Sequence, residues 1–199
     1  GLYTSFFEAG SDLVLTNSFG GNAFRLKLHK APNRVTELNA AAARFARMAA
    51  DAAANRQGRR LILAGSIGPT VELFEPIGTL THETTRDVFA AQANALADGG
   101  VDMLWIETMS STDEVAAALE AAKATGLPVA VTMTFDTAAR SMMGVSPQNF
   151  AVFGNTNKAD FLGANCAIGS AKLLHSIAGM GQAHIDNPLI AEGNCGAPS

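Results

Sequence analysis

The chain has 199 residues, of which 48% are hydrophobic and 16% charged, and its formal net charge is −4. That size carries one sizeable core and argues for a single domain over residues 1–199. A mildly acidic balance gives no electrostatic footprint for nucleic acid or an anionic membrane, and no segment reaches the roughly 18 apolar residues of a membrane span.

The opening Gly1-Leu2-Tyr3-Thr4-Ser5 lacks the basic start and apolar run of a signal peptide. Two cysteines, Cys166 and Cys195, are too few for a disulfide framework, so a reducing, cytoplasmic setting is expected. Asp12 to Asn17 reads as a strand entering the loop Ser18-Phe19-Gly20-Gly21-Asn22. Val35 to about Asn55 is Ala-rich with Arg at helical spacing and predicts a helix. Leu61 to Ala64 is the next strand, closed by Gly65-Ser66-Ile67-Gly68-Pro69-Thr70. Thr81 is placed to cap a helix running to about Asp98, with Thr84 at its third position. A strand from Val101 to Ile106 leads to a helix capped by Ser111 or Thr112. Pro128 to Phe135, Phe161 to Cys166 and Pro188 to Ala191 complete six strands, with helical stretches between them.

Apolar strands rich in Val, Ile and Leu belong to parallel sheets covered on both faces. Alternation with helices leaves a doubly wound sheet or a TIM barrel. No GxGxxG or P-loop follows the first strand, which weighs against a nucleotide-binding wound sheet. Thr16-Asn17, Ser66, Glu107-Thr108, Thr134, Asn165-Cys166 and Asn194-Cys195 all stand at strand C-terminal ends, where a barrel keeps its chemistry. The fold expected is α/β, a (β/α)8 TIM barrel. The chain starts at Gly1 without an initiator Met and stops at Ser199, just after a strand, so the expectation is a barrel truncated at both ends.

Cys166 precedes a helix that begins near Ser170, whose positive end favours a thiolate able to bind zinc or attack an electrophile. A small buried hydrophobe is the other reading of the same residue. Glu107 follows four apolar residues, Met103-Leu104-Trp105-Ile106, and reads either as a partner for a substrate ammonium or as a solvated strand end. His29, His82, His175 and His184 form no metal-ligand pattern.

Five phrases are more specific in combination. Asp12-Leu13-Val14-Leu15-Thr16-Asn17-Ser18-Phe19, Ala64-Gly65-Ser66-Ile67-Gly68-Pro69-Thr70, Ile106-Glu107-Thr108, Gly163-Ala164-Asn165-Cys166 and Gly193-Asn194-Cys195-Gly196-Ala197-Pro198 follow one another in that order. Their succession resembles the homocysteine-binding domain of the homocysteine S-methyltransferase family, across nearly the whole chain. The resemblance implies a barrel that holds Zn²⁺ through three cysteines, with strands two to seven present here. It implies that Cys166 is a zinc ligand after the family's strand six, and that Glu107 holds the homocysteine amino group. Thr16 and Asn17 would lie beside the substrate pocket, and Asn194 near the metal as an exchangeable ligand. The family's Gly-Gly-Cys-Cys pair and its first Asp-Gly motif have no counterpart in these residues, so the chain alone is expected to bind zinc poorly and be inactive. Val71 stands where the family commonly has Gly. The reaction implied is transfer of a methyl group to the homocysteine thiol, giving methionine; the donor is not marked by these motifs. A related thiol or selenol methyltransferase, acting for instance on selenocysteine, and a non-catalytic metabolite-binding barrel are the alternatives.

Overall fold

The computed structural model describes residues 1–136, 138–166 and 169–194. Six strands run β1 (Leu13–Leu15), β2 (Ile62–Ile67), β3 (Met103–Met109), β4 (Val129–Met133), β5 (Phe161–Cys166) and β6 (Leu189–Gly193). They pair in parallel and in strict chain order. A doubly wound sheet reverses its strand order at a switch point; among the described residues there is none. The sheet also curls, because β1, β3 and β6 together line one cavity of about 530 Å³. The result is a half-barrel with helices outside.

Among the described residues seven helices accompany the strands: α1 (Leu2–Glu8), α2 (Ala23–Lys27), α3 (Val35–Gln57), α4 (His82–Asp98), α5 (Thr112–Lys123), α6 (Pro147–Thr156) and α7 (Ser170–Gly181). The predicted caps hold: Thr81 and Thr84 form a reciprocal capping box on α4, and the Ser111 hydroxyl accepts from the first turn of α5. The structure moves several predicted bounds. β1 is shorter than expected, which leaves Thr16 and Asn17 in the following loop, whereas β6 runs two residues further, to Gly193. α1 has no counterpart in the sequence reading, because seven residues are too few to show a helical period.

Period-two alternation divides each strand between two cores. Leu63, Ile67, Leu104, Ile106, Val129, Val131, Leu162 and Ala164 face the helices. α3 meets that layer with Ala43, Ala46, Ala50 and Ala53, all fully buried, whose small side chains let the helix lie close to its neighbours. Leu13, Leu15, Ile62, Ala64, Met103, Trp105, Ala130, Phe161 and Ile190 form a separate cluster on the inner face. Two carboxylates tie the strand N-terminal ends together. Asp102 accepts from the Leu63 amide at 2.7 Å and from Arg47 at 2.9 Å. Asp160 does the same for the Val129 amide at 2.7 Å and Lys123 at 3.0 Å. The opposite end of the sheet is therefore left free for chemistry.

Candidate functional site

Counting by twos along the inner face carries each apolar row into a polar one. Ala64 leads to Ser66, Trp105 to Glu107, Ala130 to Thr132, Phe161 through Gly163 to Asn165, and Ile190 to Glu192. This row lies at the strand C-terminal ends. The Ser66 hydroxyl donates to Glu107 Oε1 in a short hydrogen bond. Burial raises the Glu107 carboxyl above the ordinary carboxylate range, and the Ser66 hydroxyl pulls it partly back. Glu192 is raised first by burial and then by the charge of Glu107. Its Oε2 is shielded from solvent and has no hydrogen-bond partner among the described residues. Two carboxylates thus share one low-dielectric mouth, with no cationic side chain paired to either among the described residues.

Asn165, buried at 1% exposure, joins β3 to β5. Its Oδ1 accepts from the Thr108 amide at 3.0 Å, and its Nδ2 donates to Thr108 Oγ1 at 2.7 Å and to Cys166 Sγ at 3.6 Å. The pairing of β3 with β4 shifts register between Ile106 and Met109, and Thr108 and Cys166 both take left-handed backbone, at φ 61° and 62°. Such conformations are uncommon for non-glycine residues and rarest for a β-branched one such as Thr108, and here the Asn165 side chain holds the turn. Cys166 is half-buried, and its sulfur stands 4.0 Å from the Thr108 hydroxyl. In register it faces Gly193, which puts the exposed Asn194 one residue past it.

The two residues of the first loop separate. Thr16 is buried, and its hydroxyl accepts from the Ser66 amide at 3.0 Å and is hydrogen-bonded to the Ser18 hydroxyl at 2.5 Å. It supports the strand that presents Ser66. Asn17 is exposed and is held by the hydroxyl of Tyr3 on α1, which donates to its side chain at 3.0 Å and accepts from its amide at 2.9 Å. Tyr3, Asn17, Trp105 and Glu192 line the 530 Å³ inner cavity. Cys195 lies outside the described residues.

Tyr3 and Glu192 are not singled out by the sequence. Nothing local to Tyr3 points at Asn17, fourteen residues on. Glu192 does carry a signal: extending β6 by one period beyond Ile190 places it on the inner face.

Among the described residues no group of three or more His, Cys, Asp or Glu side chains could hold a metal ion. Cys166 is the one cysteine among the described residues. A tetrahedral zinc site needs three or four protein ligands, so these residues do not fit the metal by themselves.

Above β2, Val71 adopts φ 69°. A β-branched side chain in this region is strained, by about 1–3 kcal/mol. Glycine relieves that strain and loses part of the gain to chain entropy. Val71→Gly is therefore expected to stabilise the fold by about 1 kcal/mol, read as a melting temperature about 2–4 °C higher. An unchanged or lower value would show that packing of the Val71 side chain offsets its strain.

A sequence model of the homocysteine S-methyltransferase family matches residues 1–199. The methionine synthases of Mycobacterium leprae and Mycobacterium tuberculosis are each 27% identical to the chain over 203 residues, a match that covers 99% of it and 17% of their own length. In fold the chain is similar to the metallated form of the homocysteine methyltransferase MmuM from Escherichia coli, with a TM-score of 0.85 at 20% identity, over 98% of this chain and 70% of that one. The ordered strand-end motifs, the half-barrel that gathers them and the end-to-end family match agree: the chain belongs to the homocysteine S-methyltransferase family.

Proposed function

We propose that the chain forms the homocysteine-binding part of a methyltransferase that methylates the homocysteine thiol to give methionine. The observation that carries this reading is the carboxylate pair Glu107 and Glu192, partly buried at the strand ends and without a cationic partner among the described residues. An α-ammonium group supplies one positive charge and three N–H donors, which match the free acceptors of this pair. With the amino end held there, the substrate thiol is directed toward Cys166 and Asn194 at the ends of β5 and β6. Thr16, Asn17 and Tyr3 shape the neighbouring wall of the inner cavity.

The zinc implied by the family resemblance would take Cys166 as one thiolate ligand and Asn194 as a neutral oxygen donor, and would supply the charge that keeps a bound thiol ionised. Recognition of the amino end rests on the carboxylates Glu107 and Glu192.

Calorimetric titration with L-homocysteine and with 4-mercaptobutanoate, the same molecule without its amino group, tests the reading. A charge-assisted contact contributes about 1.5–3 kcal/mol, so homocysteine is expected to bind at least about tenfold more tightly. Equal affinity for the two would sink it.

A further inference from the structure

β2 runs past the end of β1. The ladder between them stops at Leu15 opposite Ala64, where the Thr16 amide donates to the Ala64 carbonyl at 2.9 Å. Ser66 lies beyond that point, so on this side its backbone N–H and C=O have no strand partner among the described residues. Ser66 is also fully buried, and buried backbone groups of this kind must find other partners.

Side chains take the place of the missing strand. The Thr16 hydroxyl accepts from the Ser66 amide at 3.0 Å, and the Ser18 hydroxyl donates to the Ser66 carbonyl at 2.7 Å. With the Ser18 proton committed there, the Thr16 hydroxyl is the donor in the 2.5 Å bond between the two. A closed ring results, running from the Ser66 N–H through both hydroxyls back to the Ser66 C=O.

A further partner comes from the helices outside the sheet. Gln92 of α4 is fully buried. Its two side-chain N–H groups are shared among the Ser18 carbonyl at 2.8 Å, Asn39 Oδ1 at 3.2 Å and the Ser66 carbonyl at 3.4 Å. Asn39 of α3 is itself buried, and its Nδ2 donates to the carbonyls of Val35 at 2.7 Å and Gly21 at 2.9 Å. A Cβ at Gly21 would run into both amides, so the loop after β1 closes directly on them.

Filling space does not explain this amide. Gln92 Oε1 is shielded from solvent and has no hydrogen-bond partner among the described residues. A methionine would occupy the same volume without leaving an acceptor unsatisfied. What the amide supplies is its N–H groups, and they are aimed at the carbonyls of Ser18 and Ser66. Ser66 is the residue whose hydroxyl occupies Glu107 Oε1.

We propose that Gln92, steadied by Asn39, is a positioning residue for recognition of the homocysteine amino group: it fixes the Ser66 backbone where β1 has ended, and Ser66 in turn fixes the Glu107 carboxylate. This rests on the homocysteine reading above. Gln92 touches no substrate and acts only through Ser66. With Oε1 held by the Ser66 hydroxyl, the Glu107 carboxylate is ordered before the ligand arrives, and Oε2 is left to accept from the ammonium. The charged end of the site is thus set from α3 and α4.

The test compares Gln92→Met, which keeps the bulk and removes both N–H donors, with Ser66→Ala, which takes the hydroxyl away from Glu107. Each is titrated calorimetrically with L-homocysteine and with 4-mercaptobutanoate, at a temperature where its own melt shows it fully folded. Both variants should bind homocysteine about fivefold or more weakly, the size of one net hydrogen bond, while 4-mercaptobutanoate binds as it does to the parent. The double variant should bind homocysteine no worse than Ser66→Ala, because Gln92 acts through Ser66. Thr85→Val is the control for damage to α4. Thr85 is equally buried and its hydroxyl donates to the Thr81 carbonyl at 2.7 Å, so the change should lower the melting temperature and leave both affinities alone. If Gln92→Met does not fold, Ser18→Ala replaces it, removing the other side-chain donor to the Ser66 carbonyl, with the same selective loss expected. Equal losses for the two ligands, or additive losses in the double variant, give Gln92 a general structural role and overturn the proposal. If the parent prefers homocysteine and Gln92→Met keeps that preference in full, the positioning inference falls alone. A parent that binds the two ligands equally removes the homocysteine reading and this inference with it.

Discussion

Glu107→Gln is expected to weaken homocysteine binding by about 10–100-fold, the equivalent of the roughly 1.5–3 kcal/mol carried by a charge-assisted contact in a partly buried site. The change keeps the size of the side chain and its ability to accept from Ser66, so the loss isolates the charge. The pH dependence has a definite sign. The carboxylate must be ionised to hold an ammonium, and burial raises its pKa. Affinity should therefore fall on acidification at a pH above the ordinary glutamate value of about 4.3. Stability runs the other way: a carboxyl raised in the folded state contributes stability that is full below its unfolded pKa and lost as pH rises through the folded one. Glu107→Gln should thus melt no lower than the parent at neutral pH while binding its ligand worse. Glu192→Gln is expected to behave alike, because it removes the second charge of the same pair. Parallel titrations and melts at neutral and mildly acidic pH decide the matter. Unchanged affinity in Glu107→Gln would take the residue out of the site.

The contrast between Glu107 and Glu192 marks how far the sequence can be read. Glu107 stands straight after four apolar residues, so its place at a strand end is visible locally. Glu192 sits two residues past the apolar pair Leu189 and Ile190, and the predicted strand stops short of it. Only the five-residue register with β5, from Leu162 opposite Leu189 to Cys166 opposite Gly193, carries the strand on. The barrel-like order is legible because each βα unit repeats its apolar run, its polar strand end and its cap, as at Thr81 and Ser111. The Asn165 link is not, since it depends on a register shift in β3, a non-local event with no residue signature. Thr16 illustrates a further limit. A motif places it at the pocket, but its buried hydroxyl is occupied by Ser66 and Ser18, so it acts through the strand that bears Ser66.

Gly163→Ala is expected to damage both the fold and the site through a single added methyl group. Gly163 lies on the inner face of β5, opposite Ile190 of β6. A Cβ there would stand 2.2 Å from the Ile190 carbonyl oxygen and 2.7 Å from its Cβ, and the first of these is backbone, which cannot rotate away. The strands must part, at the cost of ladder hydrogen bonds or a tilt of β6. Overpacking of this kind costs about 3 kcal/mol or more, which lowers the melting temperature by about 6–12 °C in a chain of this size. The damage should not stop at stability. Displacing β6 moves Glu192 away from Glu107 and Gly193 away from Cys166, so homocysteine binding should fall even at temperatures where the variant stays folded. Gly181→Ala is the control, because a Cβ at the end of α7 meets nothing within 4 Å and should leave both melting and binding close to the parent. Thermal melts and homocysteine titrations of the two variants side by side carry the test. If Gly163→Ala melts with the control, β5 and β6 are not packed as closely as this register requires, and the carboxylate pair that the site depends on loses its geometric basis.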